Sequence, residues 1–260
     1  MIARLDRQRA AARCTLLGDA EFMPTVDTRK LAAAEAAAAL VEDGMIVGLG
    51  SGSTASLAVA AIGRRVAEGL RIVGIPTSEK TAGQARGVGI PLIALEDRDH
   101  IDLTIDGADE VERGSLDLVK GLGGALLREK IVASITRRLV IVADESKLVD
   151  RLGSGRQPIP VEVAPFGWQT TARRLTALGA EWTQRLTPDG QPFITDGGHL
   201  ILDCRFQTLD SARSLQQRLD STVGVMEHGL FLGMTSEAIV GRGAGEPLRL
   251  SSRRRQPRVL

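Results

Sequence analysis

Seven consecutive positions, Gly48-Leu49-Gly50-Ser51-Gly52-Ser53-Thr54, concentrate glycines and hydroxyls between an apolar run and a helical pattern. Glycine lets a backbone take positive φ and approach a ligand closely. Free N–H groups and the dipole of a helix starting here, with the Ser51, Ser53 and Thr54 hydroxyls, suit an anion. A dinucleotide site would want a third glycine at Ser53 and an acid ending the second strand. The chain has Ile75-Pro76-Thr77 there. A nucleotide P-loop would want a lysine before Ser53 or Thr54, and none is present. A small phosphate ester is the preferred ligand; the competing structural reading is a tight turn packing helix on strand.

Three further stretches carry charge. Asp106-Gly107-Ala108-Asp109-Glu110 ends a strand, where open α/β sheets bind ligands, so Asp106 and Asp109 can hold hydroxyls or move protons. A helix-capping Asp-Gly turn is the plain alternative, and an acidic magnesium site lacks a clear third partner. Lys120-Gly121-Leu122-Gly123-Gly124 opens onto a helix carrying Arg128-Glu129-Lys130. Consecutive helical residues point about 100° apart, so these three charges cannot share a face. A solvated face is the simple reading, but Leu126, Leu127 and Ile131 mark a packed helix, so at least one charge is expected to turn inward. Lys147, after a fifth strand, reaches a phosphate or lies on the surface.

The elements that position these residues alternate. The patterns predict helices over 30–41, 54–65, 78–87 and 125–136, and strands over 45–49, 70–75, 101–105 and 139–143, with a further apolar stretch at 90–95. Such alternation implies an α/β fold, a doubly wound Rossmann-like parallel sheet covered on both faces. After Lys147 the order becomes strand 158–163, helix 167–178, strands 181–186 and 199–206, helix 209–219 and an extended run 223–231. That is an inserted smaller ferredoxin-like α+β domain, after which strand 238–241 returns to the main sheet. The expected layout is a disordered N-terminal extension 1–24, a catalytic domain 25–150 plus 232–245, a small domain 151–231 and a disordered basic tail 246–260.

Composition sets outer bounds. The 260 residues carry 43% hydrophobic and 25% charged residues with a formal net charge of +1, so nothing draws the chain to nucleic acid or anionic membrane. Cys14 and Cys204 form no C-x-x-C pair, and His100, His199 and His228 are far apart, which speaks against a disulfide framework or a soft-ligand metal site. No apolar run reaches the roughly 18–20 residues of a membrane span. Arg4, Arg7, Arg9 and Arg13 loosely suggest a transit peptide, interrupted by Asp6; Met23 is an alternative start.

Taken in order, the motifs resemble the ribose-5-phosphate isomerase A family. They are Gly-x-Gly-Ser-Gly-Ser-Thr at 48–54, Pro-Thr-Ser at 76–78, Asp-Gly-Ala-Asp-Glu at 106–110 and Lys-Gly-x-Gly-Gly-Ala-x-x-x-Glu-Lys at 120–130. Ala-Asp-x-Ser-Lys at 143–147, Pro-Val-Glu-Val at 160–163 and His-Gly-Leu-Phe at 228–231 complete the set, which spans about 27–241. The resemblance implies an aldose–ketose isomerase of the non-oxidative pentose phosphate pathway, cytoplasmic, homodimeric or homotetrameric, using no cofactor and no metal. It implies Glu129 as the base, with Asp106, Asp109 and Lys120 also catalytic. It assigns substrate binding to Ser51, Gly52, Ser53, Thr54, Asp106, Gly107, Ala108, Asp109, Lys120, Gly121, Leu122, Gly123 and Lys147. Leu122 stands where many members have glycine, so only its backbone is expected to contribute. The alternative, a non-catalytic sugar-phosphate sensor, needs no paired Glu129 and Lys120 and usually carries a DNA-reading module, for which no helix-turn-helix is evident.

Overall fold

The computed structural model describes residues 27–153, 157–206 and 211–251; the expected extension 1–24 and the end of the basic tail lie outside them. Its first run is α1 (Thr28–Ala38), β1 (Ile46–Leu49), α2 (Ser53–Ala67), β2 (Val73–Pro76), α3 (Glu79–Gly87), β3 (Leu103–Gly107), β4 (Glu110–Glu112), β5 (Leu118–Val119), α4 (Leu126–Ser134), β6 (Leu139–Asp144) and β7 (Leu148–Val149). Then come β8 (Ile159–Val163), α5 (Trp168–Ala177), β9 (Ala180–Gln184), β10 (Leu200–Phe206), α6 (Ala212–Asp220), β11 (Val225–His228), β12 (Leu230–Phe231), β13 (Glu237–Gly241) and β14 (Leu248–Ser251).

The main sheet has the order β14-β13-β6-β3-β1-β2, parallel except for β14. Its strands are continuous apolar runs because both faces are covered. In β6, Val140 and Val142 join the core beneath α1 and α2, while Leu139, Ile141 and Ala143 join a second core with Ala133 of α4. Asp27 caps α1 by accepting from the Arg29 N–H, and Ala33, Ala34, Ala37 and Ala38 bury a thin face. That thinness brings α1 so close that a Cβ on Gly241 would stand 1.8 Å from the Arg29 carbonyl. The stretch 90–95 adds no strand; Pro91 and a single bridge between Gly74 and Leu92 replace it.

The basic tail departs from its expected disorder. Leu248–Ser251 pairs antiparallel with β13, turning Leu248 and Leu250 toward the core and leaving Arg249 outside against Glu237. Four residues are too few to show a strand period in the sequence, and their pairing with β13 supplies the order.

β8, α5, β9, β10, α6 and β11 build an antiparallel sheet in the order β11-β8-β10-β9, the expected ferredoxin-like arrangement. Val161, Val163, Leu202 and Cys204 pack one face against Leu175 of α5 and Leu215 and Leu219 of α6. The extended run expected at 223–231 divides: β11 stays here, and β12 leaves for a third sheet, β12-β5-β4-β7. The pieces of that sheet are two or three residues long, too short to carry a period. It joins the end of β3 to the start of α4.

Candidate active site

Strand order in the main sheet reverses between β1 and β3, where a crevice opens at the carboxyl ends of open α/β sheets. The sequence makes this junction tight. A Cβ on Gly50 would lie 2.3 Å from Asp106 Oδ1 and 2.4 Å from its Cα, so only glycine fits. Asp106 Oδ1 accepts from the Ser51 N–H at 3.0 Å and the Gly107 N–H at 2.7 Å, seating the loop after β1 on the end of β3. Gly52, at φ 95°, then turns the chain into α2 with no side-chain cap. First-turn N–H groups are thereby left for a ligand.

Of the hydroxyls on that loop, Ser53 is exposed and Thr54 buried. Ser51 Oγ sits 2.9 Å from Thr77 Oγ1, 3.0 Å from Ser78 Oγ and 3.2 Å from Thr81 Oγ1. Those three residues, and Lys30, had not been singled out as site residues. Lys30 Nζ lies 3.3 Å from Ser53 Oγ and brings a cation from α1 to the anion loop, a proximity that no sequence spacing reveals.

The third sheet positions the charges. The Asp109 N–H donates to Val119 O at 2.9 Å, and the Lys120 N–H to Gly229 O at 2.8 Å, so Asp109 and Lys120 emerge together from its end. Lys120 Nζ lies 3.0 Å from Asp106 Oδ2 and 3.3 Å from Glu129 Oε2, and donates to Gly107 O at 2.6 Å. All three side chains are at least 95% buried. Burial works against the Lys120 ammonium, but the Asp106, Glu129 and Asp109 carboxylates outweigh it and hold its pKa above the usual lysine value. Burial pushes the Glu129 carboxyl up, to about 8; Lys120 pulls it down, and the Asp106 and Asp109 charges push with burial. Among the described residues no hydrogen bond reaches the buried Glu129 Oε2, and Lys120 Nζ approaches it at ion-pair distance.

Within the charged run, Glu129 turns inward as one charge had to. Lys130 is also largely enclosed, between Glu227, the His228 carbonyl and the Phe231 ring, whereas Arg128 reaches Glu79 and Asp196. Gly121, Leu122 and Gly123 form a turn beside Asp109, whose Oδ2 accepts the Leu122 N–H at 2.9 Å. Gly107 and Ala108, half-buried, link the two aspartates. Lys147 sits half-buried on the turn after β6, and no hydrogen bond or ion pair among the described residues ties it to the cluster.

Asp220, Glu227 and His228 place ligand atoms within 4.8 Å of one another, the spacing of a metal site. The Lys130 ammonium already contacts Glu227 and the His228 carbonyl there, so a cation's charge is supplied. Among the described residues no helix is long and apolar enough to cross a membrane.

Comparison with known proteins finds relatives over most of the chain. Residues 73–245 match the family model for ribose 5-phosphate isomerase A (phosphoriboisomerase A). The chain is 54% identical over 231 residues to ribose-5-phosphate isomerase A of Synechococcus sp. (strain JA-3-3Ab), covering 88% of this chain and 100% of the relative. It resembles the solved ribose 5-phosphate isomerase A of Methanocaldococcus jannaschii with a TM-score of 0.82 at 40% identity, over 86% of this chain and 99% of that one. A solved D-ribose-5-phosphate isomerase in complex with phospho-erythronic acid matches with a TM-score of 0.83 at 35% identity, over 87% and 99% of the two chains. By the match to that family model and the identity to its members over most of the chain, the chain belongs to the ribose 5-phosphate isomerase A family.

Proposed function

We propose that this chain interconverts D-ribose 5-phosphate and D-ribulose 5-phosphate through a cis-enediolate, with Glu129 carrying the proton between C1 and C2. The observation that carries the reading is the Glu129 carboxylate, buried at ion-pair distance from Lys120, its Oε2 receiving no hydrogen bond among the described residues. A base near pH 8 is matched to abstracting a proton at neutral pH. Glu129 takes the C2 proton of the open-chain aldose; the C–H pair becomes the C1=C2 bond and O1 takes the charge. The same carboxyl returns the proton to C1 as C2=O2 forms and the O2 proton passes to O1.

The charge on O1 needs fixed donors. Lys120 spends its contacts on Gly107 O, Asp106 and Glu129, so it acts through its field and through the carboxylates' proton balance. The donors nearest the aspartates are then glycine-loop N–H groups. Asp106 and Asp109 orient hydroxyls and serve ring opening. The uncapped α2 start, Ser51, Ser53, Thr54 and Lys30 are assigned to phosphate and neighbouring hydroxyls, and Lys147, on the same sheet edge, to the phosphate. The phospho-erythronic acid bound by the solved relative suits such a site: its carboxylate is planar and anionic, like an enediolate. A homodimer or homotetramer in the cytoplasm rests on the family resemblance alone.

The test is turnover of ribose 5-phosphate in D2O, with and without EDTA. Ketose should form, survive chelation and carry solvent deuterium at C1 to the extent that the Glu129 carboxyl exchanges its proton before returning it. Binding without turnover would favour the sensor reading; collapse with EDTA would require a metal; a product free of deuterium together with undiminished turnover by Glu129→Gln would indicate a hydride shift.

A further inference from the structure

Arg185 lies one residue beyond β9, on the small antiparallel sheet, yet its side chain ends on the active-site turn. Its backbone is fixed on both sides, the N–H donating to Ile201 O at 2.9 Å and the carbonyl accepting from the Phe193 N–H at 2.9 Å. The guanidinium grips Asp203 of β10 in a fork, with Nε 2.9 Å from Oδ2 and Nη2 on Oδ1. Nη1 donates to Gly121 O at 2.8 Å and to Leu122 O at 2.9 Å. Four of the five guanidinium donors are thus engaged in one plane, and the side chain is only 11% exposed.

Two consecutive carbonyls held by one cation dictate where the reverse side of the turn points. A trans peptide directs its N–H opposite to its C=O, and no peptide here is cis. With Gly121 O on Arg185, the Leu122 N–H must face away, and it meets Asp109 Oδ2 at 2.9 Å. With Leu122 O on Arg185, the Gly123 N–H is directed away from Arg185 in turn. Adjacent N–H groups on one side of a turn form a concavity for an anionic oxygen. Phe193 supports the far end of the turn: a Cβ on Gly124 would lie 2.4 Å from its ring, so only glycine admits that contact.

We propose that Arg185 is a positioning residue for the isomerisation: it locks the Gly121–Leu122 and Leu122–Gly123 peptides so that their N–H groups serve Asp109 and the developing enediolate oxygen. This rests on the isomerase reading above and deepens it, since it lets the small sheet set the geometry of the reacting end. Lysine in its place keeps the charge but lacks the planar fork that holds Asp203 and two carbonyls together.

Arg185→Lys and Arg185→Met separate this from a general structural role. For Arg185→Lys, kcat should fall about tenfold or more, as for a slightly misplaced catalytic group. Inhibition by phospho-erythronic acid should weaken by a similar factor, while inhibition by inorganic phosphate stays within about twofold, because the phosphate loop is untouched. Amide hydrogen exchange over 121–124 should quicken in the variant. Unchanged exchange there, unchanged kcat, or equal weakening of both inhibitors would overturn the proposal. Should Arg185→Met fail to fold, Arg185→Lys carries the comparison. Wild-type protein that does not turn over ribose 5-phosphate would sink the isomerase reading, whereas the exchange comparison would still decide the Arg185 claim.

Discussion

Three carboxylates, Asp106, Asp109 and Glu129, act on one buried ammonium, so the cluster cannot be neutral with every acid ionised. Glu129, pushed up by burial first, is where the extra proton rests. In the free enzyme kcat/KM should therefore rise with pH along a limb near 8, and Asp109→Asn, which removes a charge that raises Glu129, should move that limb to lower pH. An unmoved limb would take Asp109 out of the cluster's electrostatics. Stability follows the same proton. Its stabilising contribution is complete below the unfolded carboxyl value of 4.5, declines as pH rises, and is lost once pH passes about 8. Glu129→Gln keeps the neutral form, so its Tm advantage over wild type should grow between pH 5 and pH 9, by about 2–4 °C for each kcal/mol involved. Equal Tm differences at both values would contradict the assigned shift. In the sequence Glu129 was one charge in an Arg-Glu-Lys run. That one had to turn inward was legible from Leu126 and Leu127, although Ile131, read with them as packed, lies exposed; that Lys130 would also be enclosed, by Glu227 and Phe231 about a hundred positions on, was not legible.

Among elements, the β1–β3 contact carries the site. Gly50→Ala would drive a methyl into the Asp106 backbone. It should cost about 1–3 kcal/mol of stability, as overpacking does, and displace Asp106, lowering kcat/KM by tenfold or more. Gly83→Ala, in the interior of α3 with nothing within 4 Å of its added Cβ, should instead stabilise by about 0.5–1 kcal/mol. Melting curves and initial rates on the pair check both signs; equal effects would remove the close-approach argument. The glycine loop, the alternating main-sheet elements and the ferredoxin-like order were readable because each repeats a strong local period or turn. β4, β5, β7 and β12 were not, since two- or three-residue strands carry no period and pair only through contacts distant in sequence. Lys30 and Arg185 escaped for the same reason: each reaches the site from an element distant in sequence, at a position with no motif of its own.

At the scale of the whole molecule, the buried charge cluster lies where three sheets meet: β3 supplies Asp106, the short sheet presents Asp109 and Lys120, and the small sheet holds the 121–124 turn through Arg185. The far edge of the main sheet does a different job. β14 is separated from β3 by β13 and β6, so ending the chain at 245 should lower Tm through a loss of about 1–3 kcal/mol while leaving kcat within about twofold, as for sites without shared partners. A parallel loss of activity would mean that the edge strand shapes the crevice. The central claim is that Glu129 moves the proton, and its most direct test is Glu129→Gln, assayed for turnover and titrated calorimetrically with phospho-erythronic acid. A fall in kcat of about 10²-fold or more, with analogue affinity held within a few-fold, is the predicted result; turnover close to wild type with the analogue still bound would contradict it.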